Sequence, residues 1–113
     1  MEGFDQIFWH DSEIESVIEL PSKDVIIFNV QYPVDWEKNI FEPRSIIFEE
    51  YFSYEVAEMP FVGNPTILDA EILSEVSSQF KNGGFFKVHI ETNAGNRFIK
   101  AMKVKLACHH MGI

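Results

Sequence analysis

The amino-acid sequence predicts a single-domain all-β fold: an antiparallel β-sandwich or half-open barrel of about six strands, with at most one short helix. Three observations carry this. The apolar residues recur with a period of two rather than that of a helix. Turn-forming clusters cut the chain at hairpin-length intervals. Eleven Phe, three Tyr and two Trp accompany many Ile and Val, the residues that suit a pleated, half-buried surface. At 113 residues the chain has the size of one domain and can hide enough apolar surface to fold without a disulfide or a structural metal.

In EIESVIEL, Ile14, Ser16, Ile18 and Leu20 alternate with Glu13, Glu15, Val17 and Glu19, which predicts a strand with the first set inward. PSKD comes next as a turn, with Asp24 able to bond nearby amides. VIIFNVQY returns with Ile26, Phe28, Val30 and Tyr32 on one face, completing a hairpin. Residues 33–44, PVDWEKNIFEPR, hold two prolines and read as a loop with at most one helical turn. SIIFEEYFSYEV is a third strand, with Ile46, Phe48 and Phe52 inward, and residues 55–65 are again loop, broken by Pro60, Gly63 and Pro65. TILDAEIL is a fourth strand, and residues 75–82 read as loop or short helix. FFKVHIET and RFIKAMKVKLAC flank NAGN and predict a final hairpin. Its expected core face is Phe86, Val88 and Ile90 against Phe98, Met102, Val104 and Leu106, with a loose tail at 108–113.

The net charge is −9, unevenly spread. Residues 1–80 carry seventeen acids against Lys23, Lys38 and Arg44, a balance of −14, whereas residues 81–113 carry six bases against Glu91, a balance of +5. Nucleic acid is therefore not the expected partner, because that affinity rests on cations meeting phosphates. The basic C-terminal strands are expected to lie beside acidic ones, where opposite cross-strand charges are mildly favourable. The opening MEGFDQIFWH has no basic n-region, and no apolar run approaches bilayer length, so the expectation is a cytoplasmic protein with no membrane contact. A single cysteine, Cys108, agrees with a reducing compartment.

The most pointed local pattern is Trp9-His10-Asp11-Ser12. In an extended chain Asp11 faces away from His10 and Ser12, so the row is not a catalytic triad; it is expected to be a structural lead-in to the first strand. Metal binding is the second option. No two of His10, His89, His109 and His110 have the i, i+4 spacing of helical sites, and Cys108-His109-His110 is a zinc-type set only in composition. Neither a metal nor a cofactor is expected. Asp69 and Glu71 share a strand face roughly 7 Å apart, a separation that suits an inverting glycosidase but also an ordinary solvated strand. No phosphate-binding glycine loop and no G-x-S-x-G elbow is present. Aromatic residues set among acids around the proline-containing segments are the remaining feature. Trp36, Phe41, Tyr51 and Tyr54, with Glu49 and Glu50, suit a surface for a basic protein, the rings as anchors and the acids to speed encounter.

The start Phe8-Trp9-His10-Asp11-Ser12, with IIFEEYFSYEV, NPTILDAEI and FKVHIETNAGNRFIKAMKVKLA after it in that order, resembles a group of small, largely uncharacterised bacterial all-β proteins. Some of that group are similar to immunity proteins, which block a toxin. The resemblance covers residues 8–107 and implies that Trp9, His10, Asp11 and Ser12 form a recurring structural start, with no catalytic residues attached. The favoured expectation is thus a non-enzymatic, immunity-like domain that binds a basic protein. The alternatives are a small-molecule or metal-dependent enzyme using His10 and Asp11 with His89, and a homodimer built by pairing an exposed strand edge with its copy.

Overall fold

The computed structural model describes residues 1–76 and 85–108. Six strands form one antiparallel sheet: β1 (Glu13–Leu20), β2 (Val25–Asp35), β3 (Ile40–Glu58), β4 (Ile67–Val76), β5 (Phe85–Thr92) and β6 (Gly95–Cys108), in the order β1-β2-β3-β6-β5-β4. The two edge strands meet at one point. Glu13 bridges Thr66, the Ile14 amide donates to Pro65 O at 2.8 Å, and the Ile67 amide donates to Ser12 O at 2.8 Å. The sheet thus curls back on itself and closes at one end, giving a half-open barrel rather than two stacked sheets. The helical pieces among the described residues are two single 3₁₀ turns, Phe4–Gln6 and Pro21–Lys23. Residues 77–84, which hold most of the expected loop or short helix, and residues 109–113 of the expected loose tail lie outside the described residues.

The barrel interior is one apolar cluster drawn from every strand, including Ile14, Phe28, Phe48, Ile67, Ile90, Ile99 and Val104. Burying a side chain of this kind contributes roughly 1.5–3 kcal/mol. The N-terminal segment adds Ile7 and Trp9 to this cluster and crosses to β6, where the Val104 amide donates to Glu2 O at 3.0 Å. Gly3 makes the crossing possible. Its φ is 86°, and a Cβ there would sit 1.7 Å from Val104 O.

Four expectations change. First, a bulge between Ile14 and Ser16 reverses the phase of β1. Ile14 and Val17 face the core, while Ser16 turns outward to accept a bond from Asn29 Nδ2 at 3.1 Å. Second, residues 33–44 are strand and turn rather than loop. Beyond the Glu13–Gln31 pair on one side and the Arg44–Cys108 pair on the other, β2 and β3 continue as a two-stranded arm. Proline is tolerated in such a ribbon because its outer edges need no ladder bonds. The turn Asp35-Trp36-Glu37-Lys38-Asn39 is fixed by the Lys38 amide donating to Asp35 Oδ1 at 3.2 Å and by Asn39 at φ 57°. Third, β3 runs on to Glu58 and bends in the middle. Glu50 has φ 52° and the register shifts between Tyr51 and Ser53, so Tyr51 and Tyr54 pack on the core. Phe52 instead lies outside, 4.8 Å from the Phe85 ring. Fourth, the core face of β6 is Ile99, Ala101, Val104 and Leu106, and Phe98 lies on the outer face under His89.

Candidate functional site

The Trp9-His10-Asp11-Ser12 stretch is a turn, not an extended lead-in. The Ser12 amide donates to Trp9 O at 3.2 Å, and Asp11 takes φ 72°, a left-handed value that Asp tolerates. The two flanking residues are buried. Trp9 Nε1 donates to Phe4 O at 3.2 Å, its ring lies 5.2 Å from Phe4, and Ser12 Oγ donates to Phe8 O at 3.2 Å. The Asp11 amide donates to Ile67 O at 2.8 Å, so this turn is part of the seam that closes the barrel. His10 and Asp11 occupy its apex, Nδ1 to Oδ2 at 3.1 Å, with both side chains open to solvent. His89 is elsewhere, on the outer face of β5, bonded to Glu71 and Asn96. The structure therefore does not gather His10, Asp11 and His89 at one concavity.

The residues expected to form a binding surface divide into two groups. Trp36 and Phe41 belong to the arm, whereas Glu49, Glu50, Tyr51 and Tyr54 lie at and after the bend of β3. Phe41 and Glu49 are eight positions apart, roughly 26 Å along an extended strand. In the second group Glu49 pairs with Lys105 of the basic sixth strand at 3.6 Å. Tyr51 donates its hydroxyl to Glu19 at 3.1 Å, and burial first, then Glu19, raises its pKa above the ordinary 10.0. Tyr54 faces inward and accepts from Arg97 Nη1 at 3.1 Å. These two rings serve the barrel. Glu50 stays exposed at the bend.

The arm is different. Trp36 is 60 % exposed at the tip, and Val34 and Ile40 beside it are also exposed. Asp35, Glu37 and Lys38 share the turn with Trp36, and Glu42 of the returning strand is tied to Arg44 at 3.2 Å. Large rings are normally hidden, and here Trp36 stands exposed with two other apolar residues on a hydrogen-bonded ribbon. A second exposed apolar stretch, Met59, Phe61 and Val62, lies in the β3–β4 connection, where the Met59 amide donates to Ala94 O at 3.0 Å.

A polar cluster absent from the expectations sits inside the barrel beside the β5–β6 turn. Arg97 Nε and Nη2 donate to the two Glu58 oxygens at 2.6 and 2.9 Å, with side-chain exposures of only 9 % and 12 %. Thr92 Oγ1 lies 3.0 Å from Glu58 Oε2 and accepts from the Ala94 and Gly95 amides at 3.1 Å. The bond from Arg97 holds the Glu58 carboxyl below the ordinary 4.5, against the opposing effect of burial. Every polar atom is matched, and the pair ties the end of β3 to the start of β6. The available signal was Arg97 falling on the same face as Ile99 and Ala101, a charge within an apolar stripe.

On the outer face, Asp69, Ala70, Glu71, His89 and Glu91 line a shallow depression of about 130 Å³. Among the described residues no group of three or more His, Cys, Asp or Glu is placed to hold a metal ion. No described helix is long and apolar enough to cross a membrane. No protein-family model matches the chain, and no curated protein matches it either.

Proposed function

We propose that this chain is a non-enzymatic protein-binding domain, cytoplasmic, bacterial and immunity-like, that occludes a basic toxin or partner through its β2–β3 arm. The observation that carries the reading is Trp36, exposed at the tip of a ribbon with Val34 and Ile40 beside it, Asp35 and Glu37 in its turn and Glu42 on the returning strand. An aromatic anchor within an apolar patch supplies affinity, and the acids steer a basic partner. The ordered barrel fixes the arm's base, which lowers the entropy lost on binding.

The test is affinity capture with the tagged protein at a series of salt concentrations, with titration of the captured protein against Trp36→Ala and Glu37→Lys. A stoichiometric basic partner is expected, released as salt rises, with Trp36→Ala weakening it at least tenfold. An affinity unchanged by both substitutions removes the arm from the interface.

A further inference from the structure

We propose that His89 is a proton-operated clasp: carried as an imidazolium, it fastens the edge strand β4 to β5 and β6, and losing its proton loosens β4. The geometry is a row across three strands. On one side His89 Nδ1 lies 3.3 Å from Glu71 Oε1 of β4. On the other, Nε2 lies 2.7 Å from Asn96 Oδ1 of β6. A neutral imidazole has one N–H and one lone pair, so it can donate to only one of two oxygens and sets a lone pair against the other. The doubly protonated ring donates to both. The ring also lies flat on Phe98, centroids 5.0 Å apart and planes at 14°, and an aromatic face favours a cation.

The surrounding charges are acidic on balance. Asp69 and Glu71 face the site from β4, Lys87 and Glu91 from β5, Lys100 from β6 beside Lys87, and Glu55 from β3 opposite Phe98. Four acids thus stand against two lysines. Lys87 Nζ is engaged over the Phe98 ring at 5.3 Å. The bond to Asn96, then Glu71 and Glu91, raises the His89 pKa above 6.5, against the burial that favours the neutral ring. A raised folded-state value means that the clasp is fully present below the unfolded value, about 6.5, and is lost as pH rises through the folded one.

β4 is where such a loss would be felt. It is a sheet edge, and register shifts at Ile67/Asp69 and Ile72/Ser74 cut its ladder to β5 into short runs, of which the one between the shifts is only four pairs long. Glu71 and His89 are paired in the middle of that stretch.

The test is a pH titration of the isotope-labelled full chain by NMR, reading the His89 ring carbon-bound protons and the backbone amides of Ala70–Leu73 together. The expected result is a His89 midpoint above the ordinary imidazole value of about 6.5, with the β4 amides moving at the same midpoint. Glu71→Gln should lower that midpoint, and His89→Gln should abolish the β4 transition while the amides of β2 stay in place. A His89 midpoint at or below about 6.5 overturns the proposal, and is the result expected if Asn96 presents its amide nitrogen instead. β4 amides that ignore the His89 midpoint overturn it equally.

Discussion

Arg97→Met keeps most of the side chain's reach and removes its charge. Three bonds go with the guanidinium, two to Glu58 and one to Tyr54. Glu58 is left 12 % exposed with Thr92 as its remaining bonded side chain. Breaking a buried ion pair from one side costs about 3–5 kcal/mol, because the surviving charge has neither water nor partner. Glu58 can escape part of that cost by taking up a proton, which places the expected loss near the lower end, about 3 kcal/mol. For a chain of this size that corresponds to a melting midpoint lower by roughly 12 °C. In urea, with a slope of about 1.5 kcal/mol/M, the midpoint falls by about 2 M. Adding Glu58→Leu removes the stranded carboxylate, and the double variant should return to within about 1 kcal/mol of the starting protein. Urea unfolding of the three proteins, monitored by circular dichroism, gives the comparison. A loss below about 1 kcal/mol for Arg97→Met, or a double variant no better than the single one, would refute the argument that this pair fastens β3 to β6.

Three further outcomes are expected. Because the Arg97 bond depresses the Glu58 pKa, that pair contributes stability above the unfolded carboxyl value of about 4.3, and loses it as pH falls through the folded value; thermal melts between about pH 2 and 6 should show a shallower acid limb for Glu58→Gln than for the starting protein. Gly3→Ala places a Cβ 1.7 Å from Val104 O at a left-handed φ, so the N-terminal crossing should detach and the Val104 amide should exchange with solvent at least tenfold faster; unchanged exchange would mean that the crossing accommodates a side chain. Trp36→Phe should alter stability by less than about 0.5 kcal/mol and remove the acrylamide-accessible part of the fluorescence, leaving the buried Trp9 signal; strong residual quenching would contradict Trp9's place in the core.

Much of the fold was legible from alternation alone. The first hairpin at Val25 and the final one around Asn93 combine apolar alternation with turn residues, and both signals are local. What alternation does not carry is phase. The bulge after Ile14 inverts the facing of β1, so Val17 packs on the core and Ile18 does not; in β3 the left-handed Glu50 turns Tyr51 inward and Phe52 out, and the register shift between Tyr51 and Ser53 restores the phase, so Tyr54 is inward again. A bulge needs no recognisable residue type, which is why Glu15 gives no sign of it. The arm was obscured for another reason. Pro33 and Pro43 signal a break in a central strand, but in a ribbon with open edges they cost little. The Glu58–Arg97 pair joins residues far apart in the sequence, and only the register of β3 on β6 brings them together.

The exposure of the arm's tip, whose root at Tyr32 and Pro33 still packs on the barrel, has a consequence for how this protein can change. Trp36, Glu37 and Ile40 are exposed and lie beyond the last strand pairs that flank the ribbon, so replacing them leaves the interior packing of Phe28, Phe48 and Ile99 as it was. Substitutions at such positions usually shift stability by less than about 0.5 kcal/mol. The tip can therefore drift through many sequences while the barrel under it is held to a narrow set, and one scaffold can carry a succession of differently shaped tips.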